Sequence, residues 1–473
     1  MNQLVKTVAG PQSRLGLILL CCLMAVLAIF GGSSRMDEPL LLFARFGVIV
    51  IGCIAFVNLD RAAFRIIRTP LLFLLAFAVI IAVQLIPLPP SVWQARPGME
   101  ELIAISRLAG TLDVWRPLSL DPMATLNSLM SLLVPLAAIL CYPLLSDQQR
   151  SAFPYILLAV AAFSIAVAGL QVGGANQLYY YRIINKGVAT GIMANRNHQA
   201  MLLASSIPAI AAVLLNRSRG SLIDSRDLLF AGLTLVVVIG MVVATGSRAG
   251  LLLVLVVVGL SGYVLWPAFA RSAGRNGGPE GSRWRNVLAG TGLAAVFVLI
   301  IAAMGGGMNS FSRLGEVEVG GDQRVEVIPQ LIELVQKFFP FGSGFGSFPW
   351  VFQIIEPDNQ LNTAYFNNAH NDFAQIIIEG GVLGAALVVF ALFIGAKGMW
   401  RLIAAPRNGS RGVSGRDRSL ILVGVGLFLA TAIASLFDYP LRTPVVAGLA
   451  ALAGCILCDW RLNAGSARHD VAR

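Results

Sequence analysis

Twelve apolar runs, at 15–32, 39–58, 70–87, 125–145, 153–173, 198–215, 228–245, 249–268, 286–304, 373–396, 419–437 and 443–459, divide the chain. An α-helix rises about 1.5 Å per residue, so about 20 apolar residues cross the hydrocarbon layer of a bilayer. The pattern predicts an all-α integral membrane protein of about twelve spans, a single polytopic domain over 1–473. The pairs 228–245/249–268 and 419–437/443–459 stand so close that each reads as a tight hairpin.

Two long segments interrupt the rhythm. Residues 88–124 open with PLPPSVW, whose prolines forbid a regular helix, and then run amphipathically to RPLSLDP. Residues 305–372 form the longest loop, before the tenth span. Within it Val325, Ile328, Leu331, Ile332, Val335 and Phe339 recur at helical spacing, which predicts an amphipathic helix on the membrane surface. That helix runs into the glycine-rich PFGSGFGSF (340–348), which lacks the Lys-Ser/Thr ending of a phosphate loop and reads as a turn.

Composition agrees with the span pattern. Of the residues, 57% are hydrophobic and only 12% charged, against about a quarter charged in soluble domains. The net charge of +11 is scattered over short segments, which suits lipid headgroups and excludes a nucleic-acid footprint. An N-terminus inside the cell puts 22 of the 35 basic residues in cytoplasmic segments, and both termini are then cytoplasmic. Lys6 and Arg14 ahead of the first run imitate a secretory signal, but the many further spans favour an uncleaved helix. The tail 461–473 reads as disordered. All six cysteines fall in apolar runs, so no disulfide framework is expected, and the CxxC at Cys455 and Cys458 reads as packing.

Candidate chemistry gathers on the outer side. His198 and His370 each stand beside asparagine at the outer mouth of a span, in NRNH (195–198) and AHND (369–372). Each can be a structural hydrogen-bonder or a working group. Arginine outside runs against the positive-inside bias, and charge near the bilayer is by default a functional hypothesis. Arg248 sits in the turn TGSRAG; Arg182, Lys186 and Arg196 precede the sixth span; Arg324 heads the surface helix. These cations either meet lipid phosphate at the interface or form a pocket for a phosphorylated substrate, since arginine forks match phosphate oxygens. Arg45, near the outer end of the second span, reads as a snorkelling side chain. No Asp, Glu, His or Cys cluster has metal-site spacing, so no metal and no cofactor is expected.

Together the motifs resemble those of the bacterial O-antigen ligases and Wzy-polymerase-like proteins. The pieces are GIMANRNHQA (191–200), TGSRAG (245–250), DQR (322–324), PFGSGFGSF (340–348) and HNDFAQIIIEGGVLG (370–384). After Arg324 the chain reads VEVIP, where many relatives carry a Trp. The resemblance implies a GT-C-like membrane fold with an O-antigen ligase-like core at 191–396 and periplasmic loops at 88–124 and 305–372. It also implies transfer of a glycan from undecaprenyl diphosphate to an acceptor hydroxyl at the periplasmic face of the inner membrane. His370 then resembles the catalytic base, and a free imidazole, titrating near ~6.5, suits that task. Arg248 and Arg324 resemble the diphosphate-binding residues, while Asn195, Arg196, Asn197, His198 and Asn371 wall the site.

The motifs do not separate a ligase, whose acceptor is lipid A-core, from a polymerase extending another lipid-linked glycan. A twelve-span secondary transporter is the reading of another class. It predicts two similar halves and midplane groups, whereas the halves differ here and His370 and Arg248 stand at the outer mouth.

Overall fold

The computed structural model describes residues 12–218, 223–275, 326–357, 366–404 and 415–462. The ninth candidate span (286–304), Arg324, most of the loop 305–372 and the tail from 463 lie outside the described residues. Within them the chain is helical almost throughout. Its elements are α1 (Gln12–Phe30), α2 (Leu40–Val57), α3 (Arg68–Val83), α4 (Glu100–Leu108), α5 (Pro122–Ser131), α6 (Leu133–Cys141), α7 (Phe153–Val172) and α8 (Arg196–Arg217). There follow α9 (Ser225–Ala244), α10 (Arg248–Arg275), α11 (Ile328–Phe338), α12 (Phe348–Ile355), α13 (Asp372–Ala404), α14 (Gly415–Ala434) and α15 (Pro444–Cys458). Eight helical stretches are long and apolar enough to cross a membrane, and α1, α3 and α15 are shorter apolar helices on three further runs.

Polar caps start several of these helices where the apolar runs begin. Asp121 accepts from Ala124 N–H, Asn195 from Asn197 N–H and Asp224 from Arg226 N–H. Such caps satisfy N–H groups that the first helical turn leaves without partners. Helix α8 is the axle of the bundle, 89% buried over its apolar window and packed by α7, α9, α10 and α14. Close approach between helices rests on small residues, as is usual where lipid competes with the core. A Cβ at Gly426 of α14 would stand 2.3 Å from Pro208 of α8. At the end of the bundle away from the candidate site, Asp459 ties Arg150 (2.7 Å), Tyr142 (3.0 Å) and Arg461 (2.8 Å) together.

A second, smaller core caps the site end of the bundle. Met99, Val327, Leu331, Leu334, Phe338, Phe348, Val351 and Phe352 form it, drawn from the two long loops. A two-residue ladder pairs Pro87–Leu88 with Arg116–Pro117. Arg96 donates to Leu118 O (2.7 Å) and Gly342 O (3.2 Å), and Lys337 meets Glu101 at 2.5 Å, so loop 88–124 and segment 326–357 are stitched together. Burial lowers the Arg96 guanidinium to about 10. The amphipathic helix exists as α11, but its buried stripe is Val327, Leu331, Leu334 and Phe338. Ile328, Ile332 and Phe339 of the expected stripe are exposed; α11 is apolar on two sides, and the cap core took the neighbouring one.

The glycine-rich segment is a turn, as its sequence indicates. Gly342, Gly344 and Gly346 all have positive φ, and the turn inserts into α13, whose helical path breaks at Gly381 (φ 59°). Val382 N–H donates to Pro340 O (2.9 Å), and a Cβ on Gly381 would lie 2.0 Å from that oxygen. The EGGVLG stretch is thus a docking notch for the cap.

Candidate active site

His370 stands where cap and bundle meet, just ahead of α13, and is the one non-glycine residue with positive φ among the described residues (48°). Asn371 makes the bend possible by capping α13: its Oδ1 accepts from Ala374 N–H (3.0 Å), and its Nδ2 donates to Leu436 O (3.3 Å). The bend sets His370 Nδ1 3.2 Å from Oδ1 of Asp438, in the short loop between α14 and α15. An ionised carboxylate only accepts, so Nδ1 carries the proton and Nε2 keeps its lone pair. That is the arrangement of an oriented general base.

Asp438 is the hub of the site and is 2% exposed. Its Oδ2 accepts from Asn195 Nδ2 (3.1 Å) and Asn197 Nδ2 (2.7 Å), and its Oδ1 from Tyr439 N–H (3.0 Å). These donors suit an ionised carboxylate and fix its plane. Tyr439 lies edge-on to both imidazoles, with ring centroids 4.9 Å from His370 and 5.4 Å from His198. His198 is buried, its Nδ1 2.8 Å from Thr443 Oγ1 and its Nε2 3.9 Å from Asp438. The structure therefore brings Asn195, Asn197, His198, His370 and Asn371 together.

Beneath them lies a second polar layer. Asp372 Oδ2 accepts from Ser435 Oγ (3.0 Å) and Leu441 N–H (3.2 Å). Arg442 donates to Glu379 Oε2 (3.1 Å) and lies 3.8 Å from Asp372 Oδ1. Burial works against the Arg442 charge, but the Glu379 and Asp372 carboxylates outweigh it and hold the guanidinium above its ordinary value. Glu379 also accepts from Gln375 Nε2 (2.9 Å) and Phe348 N–H (3.3 Å), which links this layer to the cap.

Arg248 stands exposed as the first residue of α10. Gly250 packs so tightly on α8 that an added Cβ would lie 2.5 Å from Ala200 Cβ, which puts the starts of α8 and α10 at the same end of the bundle. Arg196 takes its backbone N–H to Asn185 Oδ1 (3.1 Å). Exposed Arg182 lies 3.5 Å from Asp37, and Lys186 is exposed. Arg45, half-buried, donates to Asn127 Oδ1 of α5. No group of three or more potential metal ligands occurs among the described residues.

Sequence reading missed Asp438, Arg442, Asp372 and Glu379. The signal was present for the first two. FDYPLR places an acid and a base in the turn of a tight apolar hairpin, the same anomaly that drew attention to TGSRAG. Asp372 and Glu379 sit within the HND…EGG stretch already noted, but nothing in their spacing shows that Arg442 faces both.

The fold and site define a multi-pass, all-α membrane protein with a polar constellation at one end of its bundle. Residues 233–389 match the family model described as O-antigen ligase. The match covers Arg248, the glycine turn and His370, supports an O-antigen ligase/Wzy-like family, and bears out the resemblance read from the motifs. Asn195, His198 and Asp438 lie outside the matched segment. No curated protein matches the chain.

Proposed function

We propose that the chain is a membrane glycosyltransferase of O-antigen ligase type, acting in cell-surface polysaccharide synthesis at the periplasmic face of a bacterial inner membrane. The observation that carries this reading is the His370–Asp438 pair (3.2 Å) at the end of the bundle where Arg248 also stands. His370 Nε2 takes the proton of an acceptor hydroxyl, and the acceptor oxygen attacks the anomeric carbon of the donor glycan. The bond from that carbon to the diphosphate oxygen breaks, and undecaprenyl diphosphate leaves with the electron pair. Arg248, with Arg324, holds the diphosphate and offsets its growing charge. Asn195, Arg196, His198 and Asn371 hold the base and its carboxylate in place.

Topology fits this reading. Eleven described apolar helices fall on eleven of the twelve runs; in this reading the run 286–304 is the twelfth span and both termini are cytoplasmic. A reporter fusion at residue 370 should then report the periplasm. His370→Ala should abolish glycan transfer at normal membrane levels, and Arg248→Lys should lose most of it. Near-normal product from His370→Ala would remove the base from the mechanism. A deletion strain separates the acceptors: polymer stranded on the carrier lipid marks a ligase, and single-repeat caps mark a polymerase.

A further inference from the structure

Helix α13 is apolar over most of its length, yet its first two turns carry Asp372, Gln375 and Glu379. Spacings of three and four put these residues on one helical face, and all three are buried, Glu379 completely. A polar stripe turned into a membrane bundle is by default a functional feature. Stability alone does not account for it, because well-packed apolar residues generally serve a core as well as a buried ion pair such as Arg442–Glu379 (3.1 Å).

The stripe connects the two halves of the His370–Asp438 pair, which stand 3.2 Å apart on different segments of backbone. From the peptide before His370, Ala369 N–H donates to Gln375 Oε1 (2.9 Å), and Gln375 Nε2 donates to Glu379 Oε1 (2.9 Å). From the turn that carries Asp438, Arg442 donates to Glu379 Oε2 (3.1 Å). On the far side of His370, Asp372 N–H donates to Ser435 O (2.9 Å) and Asp372 Oδ2 accepts from Leu441 N–H (3.2 Å). His370, at φ 48°, is thus clamped on both flanks, as a residue in a sparsely populated conformation must be. Glu379 is itself anchored to the cap: its carbonyl accepts from Gln84 Nε2 (2.9 Å) and Gly344 N–H (3.0 Å), and its Oε1 also from Phe348 N–H (3.3 Å). Each carboxylate oxygen therefore serves a different side, Oε1 the His370 segment and Oε2 the Asp438 turn. A carboxylate offers two acceptor oxygens, whereas an amide offers one acceptor and one donor.

We propose that Glu379 is a positioning residue that sets the His370–Asp438 geometry, through Gln375 on one side and Arg442 on the other. Its effect on turnover rests on the transferase reading above; its effect on the orientation of the His370 ring does not.

The test uses the full-length protein in lipid nanodiscs. Glu379→Gln keeps the volume and leaves Arg442 the Asp372 carboxylate at 3.8 Å as counter-charge. It turns one acceptor oxygen into a donor, which then faces either Gln375 Nε2 or Arg442 and breaks the path there. In transfer assays kcat should fall about 10²-fold, the scale of a misplacement of about 1 Å, with KM for the donor unchanged. Adding Gln375→Glu exchanges acid and amide: the new carboxylate accepts from Ala369 N–H and from the new amide, whose oxygen accepts from Arg442. The double variant should regain most of the lost kcat; one as slow as Glu379→Gln overturns the proposal. Nitrogen NMR of protein carrying 15N-histidine reads the ring without turnover, with the His370 signals assigned by their loss in His370→Ala. At alkaline pH, where the imidazole is neutral, the wild type should show two well-separated ring-nitrogen signals, as a single tautomer requires. In Glu379→Gln they should draw together as the tautomers exchange; unmoved signals overturn the proposal whatever the kinetics. The two readings fail separately. An active His370→Ala enzyme would remove the base and leave the NMR result standing, and unmoved signals in Glu379→Gln would leave the His370→Ala result standing.

Discussion

The membrane bundle and the cap are built on different rules. In the bundle the alternative to burial is lipid, as apolar as the core, so large residues face outward freely. On α2, Phe43 and Phe46 are exposed while Ala44 and Val48 are buried. Packing there depends on small residues and close backbones, as at Gly426 and Gly250. In the cap the core is large and aromatic, with Phe338, Phe348 and Phe352 fully buried. The candidate site lies on the seam: His370 belongs to the segment leaving the cap, and Asp438 to a loop of the bundle. The geometry of the candidate site therefore requires both regions and their junction.

The largest expected effect comes from cutting the seam at its carboxylate. Asp438→Asn keeps the volume but removes the acceptor that fixes the His370 tautomer, so transfer should fall by about 10²–10⁴-fold, with little change in KM for the donor. Near-normal turnover would show that the pair serves packing alone. Next is the notch that docks cap on bundle. Gly381→Val places a side chain at φ 59° and against Pro340 O, a strain of about 1–3 kcal/mol before the clash. Hydrogen exchange in peptides 326–357 should rise while that of α8 stays protected; equal loosening of both would mean that cap and bundle unfold as one unit.

The smallest effect concerns the cap alone. The Lys337 ammonium, hydrogen-bonded to Glu101, holds that carboxyl below its ordinary value of 4.5. A depressed carboxyl stabilises the fold fully above its unfolded value, and the contribution is lost as pH falls through the lowered folded value. For a pair this exposed the contribution is about 0.2–1 kcal/mol. Below pH 4.5 the cap peptides should therefore exchange faster in the wild type, and Glu101→Gln should flatten that dependence. A pH response of equal size in the variant would assign the effect to other groups.

Much of this architecture was written locally. The apolar runs mark helices because a lipid-spanning segment must be long, continuous and internally hydrogen-bonded. The glycine turn was equally legible, since it depends on a few neighbouring residues. The inward face of each span was not, because hydrophobicity does not distinguish a helix from the lipid beside it. The stripe on α11 was misjudged by one position, because both of its sides are apolar.

The sequence by itself determined an all-helical membrane chain, its two long loops and one of the two partners at the centre of the site. Only the tertiary structure decided that Asp438, 68 residues from His370, is the other, and that Arg442 faces both Asp372 and Glu379. It also decided that Arg45 of α2 pairs with Asn127 of α5, 82 residues away. The physical reason is that spans and turns are local solutions to solvation, whereas a buried charge is placed by whichever distant residues can satisfy it.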